Sequence, residues 1–224
     1  IKKISIQKNL KLNTLKDKKN NFEILSHSFQ GEAQVIKIKY KNSVQKIKIN
    51  LIGKIQLKNI LMAIIAAKKS NIKLDKILNV IHKIKSVKGR LEIIGKIKNN
   101  SKVILDYAHS PDALKTSLLN LREQFPDTKI SLLFGCGGNR DQNKRSKMGR
   151  IASSYSDEIY LTDDNPRFEN SNKIRKDIKK GIRKNKKIIE IADRAKAISE
   201  AVNNLNTGEV LLVAGKGHET TQDI

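Results

Sequence analysis

Four apolar runs in the second half of this 224-residue chain each end in a cluster of residues suited to anion or ammonium chemistry. After Lys102 to Tyr107 comes Asp106-Tyr107-Ala108-His109-Ser110-Pro111-Asp112. After Lys129 to Phe134 comes Gly135-Cys136-Gly137-Gly138-Asn139-Arg140-Asp141. After Glu158 to Thr162 comes Asp163-Asp164-Asn165-Pro166-Arg167, and after Val210 to Ala214 comes Gly215-Lys216-Gly217-His218-Glu219. Glycines let backbone N–H groups approach an anion closely, or simply make a tight turn. Arg140 and Arg167 supply planar forks for a carboxylate or phosphate, or stand as two ordinary surface arginines. Asp106 and Asp112 flank His109; carboxylates there suit Mg²⁺ or a group on a nucleotide, and His109 suits a phosphate. Ser110 and Asp112 also suit the capping of a following helix, which leaves Asp106, at the end of a buried strand, unexplained. Glu219 suits an ammonium. Cys136 has no evident His–acid arrangement and reads as a small packing residue.

The elements that must carry these loops alternate. The spacing predicts strands at 102–107, 129–134, 158–162, 188–191 and 210–214. It predicts helices at 111–124, 144–155, 171–184 and 193–205, with Pro111 near a helix start and Asp193 as an N-cap. This rhythm predicts an α/β domain: a mostly parallel, Rossmann-like sheet with helices on its faces. Ligands of such sheets bind past the carboxyl ends of the strands, so the four loops converge on one cleft. Residues 1–52 read as strands, with a hairpin of Val35–Tyr40 and Val44–Leu51 turning at Lys41-Asn42-Ser43. Apolar stripes at helical spacing follow at 57–70 and 74–85. The pattern changes near Gly89-Arg90, which sets a boundary between 1–88 and 89–224. No repeat, low-complexity tract or long linker is present.

Composition narrows the function classes. Lys+Arg is 46 against 22 Asp+Glu, a formal charge of +24, which invites a nucleic-acid reading. Against it, only nine of the basic residues are Arg, the lysines run through the whole chain, and aromatics at 4% give few stacking platforms. The excess of Lys, Ile and Asn matches AT-rich codon usage, and a solvated basic surface is the expectation. One Cys excludes a disulfide scaffold and fits a reducing cytosol. The run Ile60 to Ala67 is far short of the ~20 apolar residues a bilayer span needs. No secretory signal opens the chain, and the absence of an initiating Met suggests a fragment or processed chain.

At its loops the sequence resembles the Mur ligase family. The resembling residues are Gly89-Arg90-Leu91-Glu92, Asp106 to Leu114, Gly135 to Asp141, Lys144-Arg145 with Met148-Gly149, Thr162 to Arg167 and Val213 to Glu219. Their order and spacing fit across residues 53–224. Residues 1–52 match only in general character, as the end of a central domain. The resemblance implies a C-terminal amino-acid-binding domain over 89–224, preceded over 1–88 by the hairpin and helices that close an α/β ATP-binding domain. It implies an ATP-dependent amide ligase of peptidoglycan assembly, with ATP and Mg²⁺ required. The small-molecule partners would be meso-diaminopimelate and a UDP-N-acetylmuramoyl dipeptide. The chain would be cytoplasmic and monomeric, with no nucleic-acid or membrane partner.

The resemblance implies that Asp164, Asn165, Pro166 and Arg167 recognise diaminopimelate, with Arg140, Gly215 and Glu219 holding the same amino acid. Asn59, Arg90, Asp106 and His109 match positions on the nucleotide side. Diaminopimelate carries a far-end carboxylate that lysine, used by sister enzymes, lacks. Arg167 can pair with it while Glu219 takes the ammonium. A buried Arg167 left without that carboxylate would cost roughly 3–5 kcal/mol, rejecting lysine. The family's Gly-x-Phe-Asn-x-x-Asn stretch survives here only as Gly53 and Asn59. Its phosphate loop, catalytic lysine region and Mg²⁺ ligands are absent from this sequence, so the chain alone is expected to be inactive. The competing readings are a lysine-adding or folylpolyglutamate ligase of the same superfamily, and a basic nucleotide- or nucleic-acid-binding module.

Overall fold

The computed structural model describes residues 8, 22–97, 100–217, 219 and 221, and divides the chain at Lys85/Ser86 into two compact units. In the first, β1 (Phe22–Gln30), β2 (Ala33–Tyr40) and β3 (Ser43–Ile49) form an antiparallel sheet in that order. The expected hairpin is β2–β3, with Tyr40 opposite Ser43. Ile36, Ile38, Ile47 and Ile49 alternate onto one face. The helices α1 (Lys54–Lys69) and α2 (Leu74–Ile81) bring Leu57, Ile60, Leu61 and Ile64, with Leu74 and Ile81, into the same core. The buried Gln34 amide donates to Leu51 O at 2.7 Å and Gly53 O at 3.0 Å, which fixes the entry to α1.

Strand β1 lies in the region expected to be strands, although a bulge between Ile24 and Ser26 breaks its period of two. One feature of this unit differs from expectation. Helix α2 stops at Ile81 rather than 85: a tight turn, with Ile84 N donating to Ile81 O, ends it. The remainder of the expected strand region, 1–7 and 9–21, lies outside the described residues.

The second unit is a six-stranded sheet. Its strands are β4 (Glu92–Lys96), β5 (Lys102–Asp106), β6 (Ile130–Phe134), β7 (Glu158–Leu161), β8 (Lys187–Glu190) and β9 (Val210–Ala214). Their spatial order is β4-β5-β9-β6-β7-β8. All neighbours are parallel except β4, which runs antiparallel on the edge of β5. The sequence hid β4 because it is short and bulged between Ile93 and Gly95.

Four helices connect the parallel strands: α3 (Pro111–Gln124), α4 (Asn143–Tyr155), α5 (Ser171–Lys179) and α6 (Arg194–Asn203). Caps set their starts. Ser110, Asn170 and Asp193 each accept a backbone N–H from three residues on, and Pro111 occupies the first turn. Helix α5 ends at Lys179, short of 184, because Gly181 runs against α4: a Cβ there would lie 1.8 Å from Ser146 O. Ala197 and Ala201 of α6 pack on Leu133, Tyr160, Leu211 and Val213. The chain moves outward through β6, β7 and β8, then returns through α6 to insert β9 between β5 and β6. Right-handed crossovers therefore put α6 on the face opposite α3–α5. This reversal of winding direction is where open α/β sheets open a crevice. No helix among the described residues is long and apolar enough to cross a membrane.

Cys136, just past β6, is 4% exposed, with its Sγ 3.6 Å from Met148 Sδ. Burial pushes its thiol up to about 12, so the unreactive neutral form prevails at ordinary pH. Iodoacetamide at pH 8 is expected to leave Cys136 unlabelled in the folded chain and to label it fully in denaturant. Rapid labelling of the folded chain would contradict the packing role.

Candidate functional site

The carboxyl end of β5 is organised by Asp106. Its Oδ2 accepts Leu91 N at 2.8 Å; its Oδ1 accepts Ala108 N at 2.9 Å and Ser117 Oγ at 3.0 Å. Burial raises its carboxyl above the usual carboxylate range, against the pull of these donors. One side chain thus joins the Gly89–Leu91 turn, the Tyr107–Ala108 turn and α3. Leu91 (φ 47°) and Gly89 (φ 65°) both sit in the left-handed region at that turn. It presents the Arg90 guanidinium 4.9 Å from the Tyr107 ring centroid. His109 stands edge-on to the same ring at 4.6 Å, with Nδ1 2.9 Å from Tyr107 O. Asp106 therefore acts on its surroundings by positioning Arg90.

The loops after β6 and β7 are zipped together. Gly138 N donates to Asn165 O at 2.8 Å, and a Cβ on Gly138 would lie 1.9 Å from Pro166 O, so only glycine permits this approach. Arg167 Nη1 donates to Gly138 O at 2.8 Å. Its Nε and Nη2 make no hydrogen bond among the described residues. Arg167 has φ 53°, a left-handed conformation that costs a side-chain-bearing residue about 1–2 kcal/mol. The guanidinium is half-buried, not buried as the resemblance led one to expect. Leaving it unpaired therefore costs less than the figure for a fully buried charge.

The turn after β9 meets the same edge. Gly215 N donates to Asp106 O at 3.1 Å, and a Cβ on Gly215 would sit 3.1 Å from Asp164 Oδ2. Lys216 Nζ lies 3.9 Å from Asp164 Oδ1 and 3.3 Å from Glu219 Oε2. A recess of about 310 Å³ opens beside Glu219, walled by Arg194, Ile198, Leu105, Val213 and Lys216. Burial lowers the Arg194 guanidinium's pKa, while Asp164 and Glu219 support its charge. Asp164, Asn165, Pro166, Arg167, Gly215 and Glu219 thus share one edge of one sheet. Arg140, on the glycine loop, is exposed and makes no hydrogen bond or ion pair among the described residues. Asn59 lies in the first unit, exposed on α1, with Nδ2 3.4 Å from Gln56 Oε1. His218 lies outside the described residues.

The sequence assigns roles to the loops and none to the helical arginines behind them, although Arg145 stands among the residues that carry the resemblance. Arg145 of α4 pairs with Glu169 at 2.8 Å and Asp177 at 3.3 Å. Arg175 of α5 pairs with Asp163 and, at 2.8 Å, with Glu190. Arg194 of α6 donates to Ala214 O at 2.9 Å and Asp163 O at 3.5 Å. All three are buried. The signal was their phase: Arg145 falls at helical spacing with Met148, Gly149 and Ala152, Arg175 with Ile178, and Arg194 with Ala197 and Ala201.

Residues 89–217 match the family described as the Mur ligase, glutamate ligase domain. The UDP-N-acetylmuramoyl-L-alanyl-D-glutamate–2,6-diaminopimelate ligase of Rickettsia prowazekii is 37% identical over 92% of this chain and 44% of its own length. The ligase of that name from Fusobacterium nucleatum is 42% identical over 90% of this chain and 43% of its own length. The chain thus spans less than half the length of these relatives. A solved structure bearing the same enzyme name superposes with a TM-score of 0.70 at 29% identity, covering 91% of this chain and 41% of that one. A Thermotoga maritima folylpolyglutamate synthase shares the fold at a TM-score of 0.71 and 20% identity, over 96% and 48% of the two chains. With the family match running through the first three loops at the sheet's carboxyl edge and into the fourth, the chain belongs to the Mur ligase family.

Proposed function

We propose that this chain is the amino-acid-binding part of an ATP-dependent ligase. The ligase adds meso-2,6-diaminopimelate to UDP-N-acetylmuramoyl-L-alanyl-D-glutamate in peptidoglycan assembly. The observation that carries the reading is Arg167: half-buried and fixed through Nη1, with Nε and Nη2 unbonded among the described residues. An Nε–Nη2 fork matches a carboxylate bidentately. Asp164, Asn165, Pro166 and Gly215 frame the same edge, Glu219 takes the neighbouring ammonium, and Arg140 offers a second cation. Lysine would leave the Arg167 fork without an acceptor, which disfavours it.

In the proposed reaction the D-Glu carboxylate attacks the γ-phosphorus of ATP, giving an acyl phosphate and ADP. The diaminopimelate amine then attacks the acyl carbonyl, the amine loses a proton, and phosphate leaves. This chain's contribution is positioning of the amine and cationic stabilisation near phosphate. Arg90, braced on Tyr107 and aimed by Asp106, is the nucleotide-side cation, with His109 beside it; Asn59 is assigned to the adenine side. Residues 1–88 are read as the end of the ATP-binding domain. No cluster of three or more His, Cys, Asp or Glu side chains suited to a metal is present among the described residues, so none is assigned to Mg²⁺. The reaction's setting is read as cytoplasmic.

Calorimetry of the chain with meso-diaminopimelate and with lysine tests this directly. The parent is expected to bind meso-diaminopimelate the more tightly. Arg167→Ala is expected to remove that preference by weakening diaminopimelate alone. Equal affinities in the parent, or an unchanged preference in the variant, would sink the assignment. Glu219→Gln should instead weaken both amino acids, since each presents a far-end ammonium; an effect on neither would rule Glu219 out.

A further inference from the structure

Arg145 carries the most deeply buried charge among the described residues of the second unit, its side chain 0% exposed. Its Nη2 lies 2.9 and 2.8 Å from the two Glu169 oxygens, and its Nη1 lies 3.3 Å from Asp177 Oδ2. Its Nε is buried with no partner among the described residues. Glu169 also accepts Asn139 N at 2.5 Å and Gln142 Nε2 at 3.3 Å. Asn139 Oδ1 in turn accepts Phe168 N at 3.0 Å.

We infer that Arg145 and Glu169 form a positioning latch that aims the Arg167 fork and so sets the discrimination between amino acids with and without a far-end carboxylate. The inference rests on the proposed function, since it concerns the same pocket. Glu169 and Arg167 flank Phe168 and are tied to successive residues of one loop: Glu169 to Asn139, Arg167 to Gly138. Phe168 itself is 96% exposed and packs nothing down. Polar bonds therefore hold the turn, and Arg167 sits in it with a left-handed backbone that the surroundings must impose. A buried ion pair is a poor device for stability alone, because apolar residues of similar volume serve as well or better. The unpaired Nε makes the same point. What the charge pairing does supply is a single position for Glu169, and with it a single register of the 163–169 loop against the glycine loop. Release of Glu169 leaves Arg167 free to turn its fork away without disturbing the sheet.

The test is calorimetry with meso-diaminopimelate and lysine on the parent chain and on Glu169→Gln and Asn139→Gly, each with a thermal melt. The latch predicts that the ratio of lysine to diaminopimelate dissociation constants falls at least tenfold in Glu169→Gln and several-fold in Asn139→Gly. A merely structural role would weaken both ligands together and leave the ratio unmoved. Asn139 is exposed at φ 50°, which glycine tolerates, so this variant decides the matter should Glu169→Gln fail to fold. If folded variants keep the parent's ratio, the latch is overturned and the functional reading stands. If the parent itself shows no preference, the functional reading falls and the latch with it.

Discussion

A guanidinium taken out of water must be met by carboxylates or carbonyls at fixed positions, or the fold loses several kcal/mol. Arg145, Arg175 and Arg194 impose that requirement from three successive helices, and each is buried. Arg145 and Arg175 are met by Glu169 and Asp163, at the two ends of the turn after β7, while Arg194 bonds the Asp163 carbonyl. The turn is thereby held from behind, while its front, with Asp164 and Arg167, faces the edge shared with Gly215. The backbone of the glycine loop, pressed against Pro166, closes the arrangement from the side. Rigid support behind and open donors in front is what the proposed discrimination by one carboxylate demands.

Most of this architecture is written in local pattern. The parallel strands are short apolar runs, the helices carry recognisable caps, and the loops concentrate Gly, Asp, Asn and Arg at the strand ends. What escaped has physical causes. Strand β4 contains a bulge that interrupts alternation, and it gains its status only from pairing with β5. Helix α5 is shortened by a neighbour's backbone, a tertiary fact with no local mark beyond Gly181. The three arginines resemble a solvated basic face because the chain is full of lysine. Only their registration with the apolar stripes betrays them. Asp106 was legible as an oddity, a carboxylate ending a buried strand, but its geometry makes it an organiser of backbone.

The basic composition divides into two populations. Lysines supply most of the exposed positive charge among the described residues, beside Arg90, Arg140, Arg150 and Arg183. Arginine, scarcer, is used where a planar fork with several donors is needed. Arg122 illustrates the pattern away from the site: it bonds Tyr155 O at 3.0 Å, Thr128 O at 2.9 Å and Asp157 at 2.6 Å, tying the end of α3 to the start of β7. The charge of +24 therefore overstates how much of the cationic surface is organised for recognition.

The strand order has a consequence for how the molecule comes into being. Strand β9 lies between β5 and β6 but follows the other eight described strands in the chain. Until it threads that gap, β5 and β6 have no common neighbour, and the turns bearing Asp106 and Gly138 have nothing to hold them in register. An emerging polypeptide can mature its helices and the β6–β7–β8 layer early. The edge proposed for recognition closes only once β9 has inserted, the most non-local pairing among the described strands, so its turns come into register late.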